Sequence, residues 1–186
     1  MNKRNIITLA GDLASGKGTV SKLLADELNY TIYRNGEYFR KLAKEMNMSI
    51  TEFNIYVESH KEIDIQVEKS AKEYAKDHDN LVIDARLGWF VVPESFKVYV
   101  KVDIDEAAKR AFFDPNRKET EKFSTIEEQK SDLILRSNKE KERYKKVYGI
   151  DKSDMSNYDF IIDSTNLTPE ELKNIIISEY KKWLQN

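Results

Sequence analysis

The 186-residue sequence has no cysteine. A disulfide framework, a thiolate metal site and a thiol nucleophile are therefore excluded, and nothing asks for an oxidising compartment. Proline (three) and glycine (six) are scarce, so no Pro/Gly/Ser-rich linker divides the chain and one domain is expected. No apolar run approaches the roughly 20 residues that cross a bilayer. Lys3 and Arg4 ahead of Ile6-Ile7-Thr8-Leu9-Ala10 imitate a secretory signal. Asp12 cuts that stretch below the ~7–15 apolar residues of a true signal core, so it reads as a buried strand in a cytoplasmic protein. Net charge is also small: 31 Lys+Arg against 33 Asp+Glu leave −2, which argues against a dedicated nucleic-acid binder. His60 and His78 stand outside any zinc-ligand spacing. Arginine is the last scarcity, with eight against 23 lysines.

What remains is a pattern of strands alternating with helices. Apolar strands are expected at 5–10, 31–33, 81–84, 98–102 and 160–163, without clean alternation, as in buried parallel sheets. Helical periodicity covers 19–28, 37–46, 61–77, 103–112, 126–148 and 168–184, with Ser49-Ile50-Thr51-Glu52 fitting a further helix start. The expected fold is an α/β three-layer domain around a mostly parallel sheet of about five strands.

The sharpest local signal lies between the first strand and its helix: Gly11-Asp12-Leu13-Ala14-Ser15-Gly16-Lys17-Gly18-Thr19. Gly-x4-Gly-Lys in that setting is a phosphate cradle. Gly16 gives permissive backbone, the first-turn amides give donors, and Lys17 gives a point charge for the β- and γ-phosphates. Gly18 occupies the slot where a Ser or Thr usually reaches Mg²⁺. Metal is thus expected to be held indirectly, through water, phosphate or a carboxylate, with Asp84 and Thr19 as outer candidates.

Gly-Lys-Gly-Thr resembles the loop of nucleoside-monophosphate kinases of the adenylate and cytidylate branch, which implies the P-loop NTPase fold. Asn35-Gly36-Glu37-Tyr38-Phe39-Arg40 looks like their Ser-x-Gly-x-x-x-Arg segment, and Asp84-Ala85-Arg86 like the Asp-Gly-Arg of cytidylate kinases. Arg136 through Arg143-Tyr144, Tyr148-Gly149-Ile150-Asp151 and Tyr158-Asp159, with Glu52-Phe53 and Glu62-Ile63-Asp64, resembles the shorter archaeal-type cytidylate kinases. The resemblance implies a core at about 1–34, 80–112 and 155–186, a mobile acceptor-binding insert at about 35–79 and a lid at about 113–150. It implies ATP and Mg²⁺ as cofactors, CMP or dCMP as acceptor, and a monomer without nucleic-acid or membrane partners. Gly36, Arg40 and Arg86 would hold the acceptor, and Arg110 would contact ATP.

Residue chemistry agrees with that outline. Phosphoryl transfer gathers negative charge, and arginine's planar fork meets phosphate better than lysine does. Arg40, Arg86, Arg136 and Arg143 fall on motif positions in a chain that otherwise favours lysine. On a helix, Arg136, Lys139 and Arg143 share a face that could close over a triphosphate, or be a solvated charged face. Asp84 ends a strand and could organise the metal's water shell or cap a turn. Asp64 could accept from a cytosine amino group or face solvent, with Glu68 one turn on, both opposite the apolar stripe. The sequence departs from the family at Ala14 and Ala85, each in place of Gly, and at Phe113 where a lid Arg is expected, with Arg117 and Lys118 only later. Asp12 would repel nucleotide if it faced inward. Other small-molecule P-loop kinases (adenylate, shikimate or dephospho-coenzyme A type) and a nucleotide-binding regulatory protein are the alternative readings.

Overall fold

In the computed structural model the described residues are 3–48, 50–115, 117 and 123–185; Ile50, Thr51, Asn54, Ile55, Glu58 and Asp64 are described by backbone alone. The strands are β1 (Ile6–Gly11), β2 (Thr31–Arg34), β3 (Leu81–Asp84), β4 (Phe96–Lys101) and β5 (Phe160–Asp163). Between them run α1 (Lys17–Leu28), α2 (Asn35–Glu45), α3 (Ile50–Ser59), α4 (Lys61–Lys76), α5 (Gly88–Val91), α6 (Ile104–Phe113) and α7 (Ile126–Tyr148), and α8 (Pro169–Gln185) follows β5. All strand pairings are parallel, in the order β2-β3-β1-β4-β5. The α/β reading holds, with five strands.

Both faces of the sheet are covered, which is why its strands show no alternation. Ile7 and Leu9 of β1 pack on one side with Val20 and Leu24 of α1 and Leu172, Ile176 and Tyr180 of α8. Ile6 faces the other side, with Leu81 and Ile83 of β3 and Ala71 and Ala75 of α4. A separate cluster joins α2, α3 and α4 around the fully buried Phe53. Among the described residues no helix is long and apolar enough to cross a membrane.

Strand order decides where ligands fit. β1 lies between β3 and β4, so the connections after β1 and β3 leave in opposite directions and open a crevice at their carboxyl ends. The loop after β1 and the segment Asp84-Ala85-Arg86 both meet that crevice. Observed boundaries differ slightly from those expected. β4 begins at Phe96 because that ring packs against Phe160, Tyr180 and Trp183. The apolar stretch near Trp89 folds as the single turn α5, and Ser49 lies outside the described residues.

α7 spans the expected range. Thr125 caps it by accepting from the Glu128 amide at 3.2 Å, and Gly149 ends it at φ +71°, the left-handed turn that glycine adopts most easily. Leu133, from its middle, is buried with Leu13 of the phosphate loop and Ala107, Ala108 and Ala111 of α6. Leu133→Ala is expected to lower stability by about 2–5 kcal/mol through the cavity it leaves, measured by urea denaturation.

Candidate active site

The loop after β1 is shaped by close packing. A β-carbon at Gly11 would collide with the Val100 carbonyl oxygen, so the chain can turn there only without a side chain. Asp12 accepts from the Tyr99 hydroxyl at 2.7 Å and from the Val102 amide at 3.1 Å. Its carboxylate is thus spent on β4 and the turn beyond it, and the expected repulsion of nucleotide does not arise. Leu13 likewise turns into the α6–α7 cluster. Ala14 sits at φ +59°, a left-handed conformation that explains why a glycine is usual there. Gly16, at φ +82°, is the N-cap of α1; the Thr19 amide turns back to the Gly16 carbonyl at 3.0 Å, while the amides of Lys17 and Gly18 have no acceptor inside the helix. The Ser15 hydroxyl is buried without a partner, while the Ser15 carbonyl lies 2.9 Å from Ser164 Oγ.

Across the crevice, Asp84 Oδ1 stands 3.8 Å from Lys17 Nζ. Burial lowers the pKa of Lys17; Asp84 opposes that, and Arg86 adds to it. A β-carbon on Gly18 would come within 3.7 Å of Asp84 Oδ2, so the slot usually filled by a hydroxyl opens directly onto this carboxylate. Thr19 is exposed in the first turn of α1. Arg34, at the end of β2, donates to the Gly18 carbonyl at 3.2 Å and ties that strand end to the loop.

Arg86 is held by a residue that sequence reasoning missed. Its Nε donates to Glu140 Oε2 and its Nη2 approaches Oε1, both at 2.7 Å, while Lys152 Nζ donates to Oε2 at 2.7 Å. Burial alone would raise the Glu140 carboxyl, but Arg86, Lys152 and Arg143 hold it at about 2. The inward stripe of α7 explains the oversight. Leu133, Arg136, Glu140, Arg143 and Tyr144 are buried or half-buried, whereas Lys139 is exposed. The face predicted from Arg136, Lys139 and Arg143 is therefore centred on Glu140. Arg136 lies 3.5 Å from Asp132, and the Arg143 guanidinium lies 5.3 Å from the Tyr144 ring centroid.

The remaining candidates divide. Arg110 uses its donors on Glu106 and on the carbonyls of Ser164 and Thr165, at 2.8–3.0 Å, so it fastens the loop behind the cradle. Arg40 is exposed and folds back to within 3.7 Å of where a β-carbon on Gly36 would lie. Phe113 is exposed, and Arg117 pairs with Asp114 at 3.6 Å while contributing to the positive field on Lys17. Lys118 and the Asp64 side chain lie outside the described residues. Glu68 is not opposite the apolar stripe. It is 5% exposed and accepts from Asn35 Nδ2 at 3.1 Å, because α4 packs on two sides. The other amide atom, Asn35 Oδ1, is buried without a partner.

A model of the cytidylate kinase-like family matches residues 6–166, which takes in both sides of this crevice. The chain belongs to that family. Among relatives, a cytidylate kinase of Thermoplasma acidophilum is 35% identical over 89% of this chain and 87% of its own length. One of Methanocaldococcus jannaschii is 34% identical over 93% and 96%. A solved shikimate kinase from Bacteroides thetaiotaomicron superposes with a TM-score of 0.63 at 15% identity, covering 97% of this chain and 98% of that one. Such a likeness reports the P-loop kinase fold alone. In this family member, Ala14→Gly should relieve left-handed strain and raise stability by about 0.5–1 kcal/mol, read as a higher thermal midpoint.

Glu140 also sets an acid limit. Its folded pKa of about 2 lies below the ordinary 4.5, so its contribution is full above pH ~4.5 and disappears as pH falls through ~2. Wild type should lose about 3 kcal/mol more than Glu140→Gln across that window, measured by denaturant midpoints at successive pH values.

Proposed function

We propose that the protein transfers the γ-phosphoryl group of ATP to CMP or dCMP, giving CDP or dCDP. It is a nucleoside-monophosphate kinase of the cytidylate kinase-like family. The observation that carries the reading is the pairing, across one crevice, of Lys17 at the phosphate loop with Asp84 and Arg86 at the end of β3.

The donor side fits a triphosphate. The Lys17 and Gly18 amides at the start of α1, the buried Ser15 hydroxyl without a partner and a half-buried Lys17 offer donors and charge at one place. Gly11 to Thr19 would wrap the phosphates of ATP, backed by Arg110 through the loop after β5. Among the described residues no group of three or more His, Asp or Glu side chains converges. Magnesium would therefore be held by phosphate and water, with Asp84 and Thr19 in its outer shell, and would supply charge neutralisation between the phosphates.

Lys17 would follow the migrating phosphoryl group, with Arg136 and Arg143 of α7 neutralising charge from the opposite side. Arg86 and Arg40 would grip the acceptor phosphate, with Gly36 leaving room beside Arg40. That phosphate is ionised near neutral pH, so no general base is needed. On the base side, Glu68 only accepts, which turns Asn35 Nδ2 towards it and leaves Oδ1 as an acceptor. Cytosine's amino group would satisfy that atom, and Asp64 is a second acceptor on the same helix. All these residues come from one chain, so a monomer is the simplest form of the reading.

A coupled ADP-release assay against CMP, dCMP, UMP, AMP and shikimate tests the proposal. Turnover with CMP or dCMP well above the others is expected; preference for shikimate, or ATP binding without turnover, would sink it. Lys17→Ala should lower kcat by about 10²–10³-fold with the fold retained.

A further inference from the structure

We propose that Glu140 is the positioning residue for Arg86: with Lys152 as its second counter-ion, it fixes the guanidinium so that one edge stays open to the acceptor's phosphate. The inference rests on the acceptor-binding role given to Arg86 above.

A guanidinium can form a two-bond fork along its Nε/Nη2 edge or along its Nη1/Nη2 edge. Glu140 occupies the first, with Nε and Nη2 each 2.7 Å from a carboxylate oxygen. Nη1 and the second hydrogen of Nη2 are left for another anion. A phosphate can thus bind Arg86 without evicting Glu140, which distinguishes a brace from a competitor for the same edge.

Glu140 is itself immobilised. Its side chain is 13% exposed and its Oε2 takes a second bond from Lys152, whose side chain is 11% exposed. Lys152 is anchored in turn: its carbonyl accepts from the Tyr158 hydroxyl at 2.9 Å. The Tyr158 ring packs with Trp89 and Tyr99. Arg86 therefore has little rotamer freedom left to lose when the acceptor binds, which is how preorganisation strengthens affinity. The lysine balances the carboxylate, so that the brace does not cancel the positive charge that attracts phosphate.

Steady-state kinetics of Glu140→Gln and Glu140→Asp, with both substrates varied, test the proposal. The wild type's own preferred monophosphate serves as acceptor. In Glu140→Gln the acceptor KM should rise by about ten- to a hundredfold, as when the outer partner of a ligating side chain is lost. The KM for ATP should stay within about twofold. Glu140→Asp keeps the charge but is one methylene too short for the fork and the lysine together. It should stay folded, with a cooperative thermal transition, and raise the acceptor KM while the KM for ATP stays within about twofold, a split that a merely structural salt bridge would not produce. If Glu140→Gln fails to fold, the aspartate variant decides alone. An unchanged acceptor KM in a folded variant overturns the inference, and so does a lowered one, which would mean that the carboxylate competes with phosphate. A wild type that phosphorylates no monophosphate defeats the functional reading first, and is recognised before any variant is made.

Discussion

Lys17 and Arg86 are half-buried cations in the same crevice, close enough that Arg86 helps to lower the pKa of Lys17. Two such charges would drive the site apart without compensation. Asp84 faces Lys17, and Glu140 holds Arg86 and Lys152 together, so two carboxylates from different elements temper three cations and leave the crevice net positive. The remaining architecture serves this arrangement. The sheet order brings the ends of β1 and β3 together, and α7 lies along the crevice so that a carboxylate from its middle reaches the segment after β3. A P-loop kinase must concentrate positive charge before its anionic substrates arrive, and this pairing keeps that charge tolerable meanwhile.

α7 is consequently more than a cover. At Leu133 it packs on Leu13 of the phosphate loop, at Glu140 it grips Arg86, and at Tyr144 it enters the aromatic cluster with Tyr99 and Tyr158. A displacement of this helix would alter loop, acceptor side and core together. Asp12 acts comparably on the other flank, tying the start of the loop to β4 through Tyr99. The departures from the family pattern fit this picture: an acid at position 12 is harmless because β4 supplies its donors.

Strands and helices were legible because burial on both faces and helical periodicity leave direct marks on a sequence, and the cradle was legible because its glycines and lysine are adjacent. Glu140 and Glu68 were not. An acid on a strongly polar helix such as α7 looks like any solvated charge, and only the neighbours brought in by folding, Arg86 and Lys152 or Asn35, show that it is buried. The stripe of α7 was mis-centred by one residue for the same reason: positions 136, 139, 140 and 143 all fall within one helical face, and the arginines drew attention to the lysine between them. Asp12 was ambiguous because its partners come from a strand some 90 residues later.

The scarcity of arginine also takes on a different meaning. Sequence reasoning gave Arg40, Arg86, Arg110, Arg136 and Arg143 to the nucleotides and gave Arg4 and Arg34 no role, yet Arg4, Arg34 and Arg110 all bind protein. Arg4 serves Asp79 and the carbonyls of Ala75 and His78, Arg34 serves Glu37 and the Gly18 carbonyl, and Arg110 serves Glu106 and two carbonyls after β5. What these sites share with a phosphate is several acceptors converging on one planar group. A lysine ammonium could meet them only with its donors splayed about a point. Arginine in this protein therefore marks places where several acceptors must be gripped in a fixed geometry. Arg86 meets that demand twice, with one edge of its guanidinium on Glu140 and the other open to the crevice.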